Sequence, residues 1–318
     1  MGEGAIGAAL VVIGGSTASG KSALAVALAR EVGGLVVNAD SQQLFRDLPT
    51  LTARPSPAEE AEVPHRLYGL LGPDEQASAG RWLGFVSSLV GAARPDARPL
   101  LVTGGTGLYL EALLRGIAPV PEIPPDLRAG LRAEAEAMPA PELHARLARA
   151  DPTMAARLRP SDRQRVLRAL EVVLGTGRSL ADWQAGAPER PELPARVVGV
   201  ALVPPAEVGA PRVEGRLRAM LAGGAVEEVA ALRERRPDLA GLPIAKVHGC
   251  REILAVLEGR LDLASAEGLI AAQVRQYAKR QRTFFRHRLR PDLEPLPLTG
   301  EAPEALDHLL RRLAGRGE

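Results

Sequence analysis

The chain has 318 residues, of which 46% are hydrophobic, so it can bury a large core and wholesale disorder is excluded. Aromatic residues make up 3% and the formal net charge is +2, which argues against a base-stacking platform and a protein-wide basic field. The single cysteine, Cys250, excludes a disulfide framework or a cysteine-built zinc site within one chain. The apolar run Ala5–Ile13 is too short to span a bilayer, so we expect a soluble, cytoplasmic protein without a membrane partner.

Short apolar runs alternate with helical patterns along the chain. Four of these runs are typical of buried strands: Ala9–Gly14, Gly34–Ala39, Leu100–Thr103 and Val197–Val203. Helical spacing follows the first run over Ser22–Val32 and the third run over Leu108–Leu114. This alternation predicts an α/β fold with a mainly parallel sheet.

A phosphate-binding motif joins the first predicted strand to the first predicted helix. The pattern GxxxxGK[ST] is matched in full by Gly15, Ser16, Thr17, Ala18, Ser19, Gly20, Lys21 and Ser22. Its glycines let the backbone wrap a phosphate, and the helix N-terminus adds partial positive charge. Lys21 can reach a terminal phosphate, and the hydroxyl of Ser22 can hold Mg²⁺. The motif predicts a P-loop (NTPase-like) core that binds a diphosphate or triphosphate; the alternative is a glycine turn without a ligand.

An acidic residue follows the second predicted strand, whereas the third ends in Thr103–Gly105 without one. An NTP hydrolase would carry a magnesium-binding acid at the end of an apolar strand. Because strand carboxyl ends face the ligand crevice in open α/β sheets, we expect Asp40 near the phosphate loop, able to accept a proton or bind an amine. As an alternative, Asp40 caps a helix. Donors and acceptors suited to a base edge come next, on Ser41, Gln42 and Gln43.

The stretch Ala118–Leu193 differs from the rest, because proline-rich sequence flanks it and it contains only helical patterns. These patterns are Asp126–Ala137, Pro141–Arg149 and Arg163–Leu174. We therefore predict three segments: residues 1–118 as the first part of the P-loop core, 119–194 as an inserted all-helical domain that contacts nucleic acid, and 195–318 as the remainder of the core with basic C-terminal helices. Beyond Val203 the helical patterns are Arg212–Leu221, Val226–Arg235, Glu252–Leu257 and Leu269–Arg290.

Two helical segments concentrate basic residues. The first segment is Arg163–Val172, and Arg165 and Arg168 lie on one face of its helix. The second segment is Arg275–Arg290, which contains no acidic residue. Its cationic stripe consists of Arg275, Lys279, Arg282 and Arg286. Such stripes suit phosphate backbones, although one alone is more often a solvated helix face. In addition, Arg212 and Arg216 are spaced to direct a guanidinium toward a diphosphate.

Together these motifs resemble those of the tRNA dimethylallyltransferase (isopentenyl-tRNA transferase) family. The phosphate loop GSTASGKS is similar to GPTASGK[ST], and Asp40–Phe45 is similar to DSxQ[VL]Y. The GGTGLY element stands at Gly104–Tyr109, and a long family stretch containing RALEV is matched by Asp151–Gly177. Arg275–Arg286 resembles RQYAKRQxTWFR, with phenylalanine in place of tryptophan. The family pattern DRxxLYxRIxxR is altered before Arg212, but the two arginines keep their spacing.

The resemblance implies transfer of a dimethylallyl group from its diphosphate to N6 of the adenosine just 3′ of the anticodon, by a monomer that uses Mg²⁺ on Ser22. It implies catalytic roles for Asp40, Thr17, Lys21 and Arg216, with the loop Gly15–Ser22 on the diphosphate. The residues implied to contact the tRNA anticodon stem-loop are Asp40, Ser41, Gln42, Gln43, Thr106, Arg128, Gln164, Arg165, Val166, Leu167 and Arg168. No role is assigned to Lys246, His248 or Cys250.

Three alternatives remain open from the residues alone. A P-loop kinase of nucleotides or other small molecules would bind and consume ATP and would not need the cationic stripe. An enzyme that prenylates free adenine nucleotides would not need the helical insertion. A non-enzymatic RNA-binding switch would bind tRNA without forming a product.

Overall fold

One sheet organises the larger part of the molecule. The computed structural model describes residues 9–93, 98–194, 196–296 and 302–315. Its strands are β1 (Ala9–Gly15), β2 (Leu35–Asn38), β3 (His65–Arg66), β4 (Leu100–Gly104), β5 (Arg196–Leu202) and β6 (Glu294–Leu296). They pair in the order β3-β2-β4-β1-β5-β6, and every pair is parallel. All seven residues of β1 are buried between its two neighbours, so the loop after β1 leaves from the middle of the sheet.

The sheet confirms the predicted α/β class and all four predicted strands. The edge strands β3 and β6 were not predicted, because each has only two or three residues and neither forms an apolar run. Pro295 fits its place in β6, since an edge strand tolerates a residue that cannot donate a hydrogen bond.

Helices follow most strands and fill the insertion. In chain order they are α1 (Lys21–Val32), α2 (Pro49–Thr52), α3 (Pro57–Glu62), α4 (Ala79–Ala93), α5 (Gly107–Arg115), α6 (Pro125–Ala137), α7 (Ala140–Ala150), α8 (Pro152–Arg157), α9 (Arg163–Thr176), α10 (Leu180–Ala185), α11 (Ala206–Met220), α12 (Val226–Arg235), α13 (Cys250–Leu257), α14 (Leu263–His287) and α15 (Ala302–Leu313). No helix within the described ranges is both long and apolar enough to cross a lipid bilayer.

The chain divides into two compact units. One is formed by Met1–Leu114 with Pro191–Glu318 and contains the sheet; the other is Arg115–Arg190. The insertion was predicted to run from 119 to 194. The predicted helical patterns Arg212–Leu221 and Val226–Arg235 correspond to α11 and α12. Helix α11 begins earlier than predicted, at Ala206, and a wide helical turn at Leu221–Ala225 joins it to α12, with Gly224 at a φ of 99°.

The sheet unit packs an apolar cluster of α1 and α15 against β1 and β5. The helical unit has its own core, which includes Leu147, Met154 and Leu170. Two short helices there were not predicted. Each starts at a capping side chain: Asp151 accepts from the Met154 N–H at 3.0 Å at the start of α8, and Ser179 accepts from the Ala181 N–H at 3.1 Å at the start of α10.

Candidate active site

The phosphate loop leaves the carboxyl end of β1 and enters α1. Two of its residues have left-handed backbone: Gly20 at a φ of 88°, which suits glycine, and Ala18 at 60°, which is unfavourable for a residue with a side chain. Gly20 is the residue before α1, and no side chain among the described residues caps this helix. The N–H groups of its first turn therefore remain available to an anion.

Lys21, the first residue of α1, is buried and only 8% exposed. Its Nζ donates to the carbonyl oxygen of Ser16 at 3.2 Å. Burial lowers the pKa of Lys21 to about 8, an effect opposed by the charge of Asp40 and reinforced by that of Arg216. The ammonium group is therefore held in a partly desolvated place, where its attraction to an anion is strong.

Asp40 is held in a tight turn just beyond β2, and no helix follows it directly. Its N–H donates to Asn38 Oδ1 at 2.7 Å, and its Oδ1 accepts from the Gln42 N–H at 3.0 Å. The carbonyl oxygen of Asn38 accepts in turn from Trp82 Nε1 at 2.7 Å. Oδ2 of Asp40 receives no hydrogen bond from the part of the chain that the structure describes. One carboxylate oxygen thus fixes the orientation, and the other is left for a ligand.

One cavity of the sheet unit collects these groups, with a volume of about 80 Å³. Seven of the predicted site residues line it: Thr17, Lys21, Ser22, Asp40, Gln42, Gln43 and Arg216. A second set of lining side chains is apolar: Leu51, Val213, Leu217, Met220, Ile270 and Val274. The cavity therefore suits a ligand with an anionic end and a small apolar end.

Arg216 and Arg212 differ in their surroundings, although both were predicted to serve the diphosphate. Arg216 lines the cavity, and its Nη2 donates to the carbonyl oxygen of Ala53 at 3.4 Å. Burial lowers the pKa of Arg216, while the charges of Asp40 and Glu59 raise it. Arg212 is exposed and is not among the described lining residues, so of these two arginines Arg216 is the one that lines the cavity.

Gln42 and Gln43 line the cavity, but much of their hydrogen-bonding capacity is used within the protein. Nε2 of Gln43 donates to the carbonyl oxygens of Thr52 and Ala53 at 3.1 and 2.8 Å. Oε1 of Gln42 accepts from the N–H of His248 at 3.1 Å. Part of each amide therefore holds neighbouring backbone in place, and contact of the two glutamines with a base edge stays a prediction.

Thr106 connects the turn at Asp40 to α14. Its Oγ1 accepts from the Ser41 N–H at 2.9 Å and lies 3.3 Å from Ser41 Oγ. Tyr277 of α14 also lines the cavity; burial raises its pKa to about 12, against hydrogen bonds with Thr106 and Gln281. The predicted residues Ser41 and Thr106 therefore belong to one hydrogen-bonded group beside Asp40.

Sequence reasoning missed three residues at this site: His248, Tyr277 and Gln281. The ring of His248 lies 4.9 Å from that of Tyr277, and burial lowers the pKa of His248. Gln281 is 4% exposed and contacts the phosphate loop. A signal existed only for the two residues of α14, because their segment had been singled out for its cationic stripe. His248 follows a short 3₁₀ helix at Pro243–Lys246, and no role had been assigned to it from the sequence.

The predicted stripe on α14 is only partly free. Nη1 of Arg275 lies 2.7 Å from Oε1 of Glu214 on α11, so an acid from another helix pairs with the first cation. Lys279 and Arg286 are exposed, and Arg282 is half-buried. The segment itself contains no acidic residue, but Glu214 of α11 pairs with Arg275.

The remaining predicted residues belong to the helical unit. Gln164 and Arg165 are exposed at the start of α9, and Arg128 and Arg168 are half-buried. Arg168 Nη1 lies 3.4 Å from Glu171 Oε2. Of the other two, Val166 is fully buried in the core of this unit, and Leu167 is half-buried and packs against that core. The side chain of Val166 therefore supports the helix, and the contact of this segment with tRNA stays a prediction.

A strand, a complete GxxxxGK[ST] loop and a helix at the carboxyl end of a parallel sheet define a P-loop core, and a carboxylate and two cations line the cavity beside it. The chain belongs to the IPP transferase family, since the model of that description matches residues 43–288. A second family model, described as Isopentenyl transferase, matches residues 8–71.

Individual relatives agree with this assignment. The chain is 49% identical over 285 residues to a tRNA dimethylallyltransferase of Rhodospirillum rubrum, which covers 90% of this chain and 87% of the relative. It is 45% identical over 305 residues to one of Rhodopseudomonas palustris strain BisB18, with 96% and 94% covered.

Solved structures show the same fold. The tRNA isopentenylpyrophosphate transferase of Bacillus halodurans matches with a TM-score of 0.67 at 27% identity, over 97% of this chain and 96% of that one. The corresponding transferase of Staphylococcus epidermidis matches with a TM-score of 0.68 at 27% identity, over 98% and 100%. A eukaryotic dimethylallyltransferase acting on tRNA shares the fold with a TM-score of 0.80 at 24% identity, over 98% and 80%.

Proposed function

We propose that this protein transfers a dimethylallyl group from dimethylallyl diphosphate to N6 of the adenosine 3′-adjacent to the anticodon in tRNA, which gives N6-isopentenyladenosine. The observation that carries the proposal is the cavity itself, where the phosphate loop, Arg216, the Asp40 carboxylate and an apolar wall come together. Relatives named tRNA dimethylallyltransferase support the reaction. The proposal includes a monomer that acts in the cytoplasm.

The cationic end of the cavity stabilises the leaving group. The N6 lone pair forms a bond to the allylic carbon, the carbon–oxygen bond breaks, and inorganic diphosphate leaves with the electron pair. Negative charge on the diphosphate grows as the bond breaks, and the loop N–H groups, Lys21 and Arg216 are placed to neutralise it. Since the allylic carbon becomes positive, the apolar wall helps by keeping competing water away.

Asp40 serves the nucleophile. A neutral exocyclic amine is a weak nucleophile, and it must lose a proton when the new carbon–nitrogen bond forms. The free Oδ2 of Asp40 accepts a hydrogen bond from N6 and then takes that proton, while Oδ1 stays fixed by the Gln42 N–H. The carboxylate thus orients the amine and removes the proton at one atom.

The donor set at the phosphate end also fits Mg²⁺. Ser22 places a hydroxyl in the first turn of α1, on the cavity wall. No group of three or more His, Cys, Asp or Glu side chains in the described ranges could form an all-protein cage. Mg²⁺ usually binds through one or two protein ligands together with substrate phosphates and water, so the Ser22 hydroxyl would serve beside a bound diphosphate. When bound, the ion would add positive charge beside the leaving diphosphate.

The acceptor is an anticodon stem-loop in this proposal. Exposed cations on α14, such as Lys279 and Arg286, and Arg165 on α9 suit contacts with its phosphates. The target base must leave its stack to reach Asp40, which is typical of enzymes that modify a base inside folded nucleic acid. A free nucleotide would not require the exposed cations.

The decisive experiment measures transfer of labelled dimethylallyl from its diphosphate, with Mg²⁺, to an anticodon stem-loop that contains three consecutive adenosines. AMP and ATP are tested in parallel as acceptors. We expect label in the stem-loop alone. Label in AMP or ATP instead would identify an enzyme of free nucleotides. No label in any acceptor, with ATP consumed when small metabolites are added, would identify a kinase and overturn the proposal.

A further inference from the structure

Gln281 of α14 connects two loops of the site. Its Oε1 accepts from the N–H of Thr17 at 2.8 Å and from Oγ1 of Thr17 at 3.1 Å. Its Nε2 donates to the carbonyl oxygen of Gly105 at 2.9 Å. With 4% exposure, this is one of the few buried polar side chains of the sheet unit, and both ends of its amide have partners. One side chain thus holds the phosphate loop to the loop after β4.

Two glycines at the junction of β4 and α5, Gly105 and Gly107, make room for α14. A Cβ atom on Gly105 would lie 2.2 Å from Nε2 of Gln281, and one on Gly107 would lie 2.4 Å from the ring of Phe284. Both separations are far below van der Waals contact. The glycines after Thr103, whose small size also suits the close approach of a ligand, therefore accommodate α14.

The phosphate loop needs such an anchor, because Ala18 lies in the left-handed region directly after Thr17. A strained backbone conformation persists only where the surroundings hold it. Gln281 fixes the residue immediately before the strained one by two hydrogen bonds. While these bonds last, the N–H and hydroxyl of Thr17 are occupied as donors, and a bound anion is left to the part of the loop from Ala18 to Ser22.

We propose that Gln281 is a positioning residue: by holding Thr17 it keeps the phosphate loop in the shape that binds the diphosphate. The identity of that diphosphate rests on the proposed function, but the anchoring of the loop does not. Without Gln281 the loop relaxes at Ala18, its N–H groups turn away from the anion, and diphosphate binds more weakly. The residue acts through Thr17 and does not touch the reacting atoms.

The test compares Gln281→Met with Gln276→Met, which changes an exposed glutamine on the same helix. Binding of inorganic diphosphate with Mg²⁺ is measured by titration calorimetry, and KM and kcat are measured with dimethylallyl diphosphate. Losing two hydrogen bonds to Thr17 predicts an affinity for diphosphate about tenfold lower, a KM higher by about the same factor, and stem-loop affinity unchanged. Gln276→Met should equal the wild type. Wild-type diphosphate affinity in folded Gln281→Met would overturn the proposal.

Gln281→Glu covers the case in which the methionine variant does not fold. When protonated, the new carboxyl group can accept from Thr17 and donate to Gly105 much as the amide does; when ionised, it loses the donor and adds negative charge beside the anion. We therefore expect diphosphate affinity near the wild-type value at low pH and falling as the carboxyl ionises, relative to wild type at each pH. The same pH profile as the wild type would refute the anchoring role. If neither the wild type nor any variant transfers the prenyl group, only the proposed function fails, because the calorimetric comparison still tests Gln281.

Discussion

The cavity of the sheet unit and the helical unit use polar side chains in opposite ways. Around the cavity, buried polar groups meet from distant parts of the chain, as when Gln281 binds Thr17 across 264 positions. In the helical unit the core cluster is apolar, and a buried acid such as Glu171 pairs with a residue nearer in the chain, here Arg132. The first arrangement orients groups for chemistry, whereas the second supports a helical scaffold with cations on its surface. Changes in the two regions should therefore alter different measured quantities.

The largest expected effect is that of Asp40→Asn. Asparagine keeps the size of the side chain and can still accept from the Gln42 N–H, but it cannot take the proton from the amine. We expect kcat to fall about 10²–10⁴-fold, the usual contribution of a general base, with stem-loop and diphosphate binding retained. Rapid-quench or steady-state transfer assays measure the loss. A kcat within a few-fold of the wild type would remove Asp40 from the chemistry.

Arg216→Gln should act on the diphosphate. Removing a half-buried cation from the cavity costs one charge-assisted contact, so KM for dimethylallyl diphosphate should rise about 10–100-fold. Arg212→Gln is the matched control, because Arg212 is on the same helix but exposed. If both variants raised KM equally in steady-state kinetics, the assignment of Arg216, and not Arg212, to the diphosphate would be wrong.

The affinity for diphosphate should fall above about pH 8. The pKa of Lys21 is lowered to about 8, mainly by burial, and only the protonated ammonium attracts the anion. The positive charge is present below this pH and is lost as the pH rises through it, so binding of inorganic diphosphate should weaken about tenfold by pH 9. Titration calorimetry from pH 6.5 to 9.5 measures the profile. Lys21→Arg, which stays charged, should flatten it; an unchanged profile in that variant would assign the titration to another group.

The smallest effect is expected in the helical unit. Arg165→Gln should weaken stem-loop binding a few-fold and reduce the slope of log affinity against log salt by about 0.7 if one single-strand phosphate contact is lost. Fluorescence anisotropy at several salt concentrations measures both, and kcat should not change. Arg260→Gln removes the same charge at a residue that pairs with Glu258 after α13, and it serves as the control. A changed kcat with unchanged affinity would place Arg165 in the reaction rather than on the scaffold.

The sequence predicted those parts of the site that depend on local patterns. The phosphate loop is a contiguous motif, and the place of Asp40 followed from the rule that parallel strands end at one edge. Gln281 could not be found this way, because helical periodicity shows that a residue is on an inner face but not which loop it meets. Val166 shows the converse: it lies four residues before Leu170, an apolar spacing that indicates a buried helix face, and both side chains are fully buried.

The contact between Gln281 and Thr17 also bears on how the protein is made. A ribosome must add 264 residues after Thr17 before the partner of that threonine exists. The first strand, the loop and the first helix emerge early, but their anion-binding shape waits for α14 to dock into the glycines at 105 and 107. A nascent or prematurely terminated chain therefore holds the complete phosphate motif without a finished binding site, and the last steps of folding complete the site.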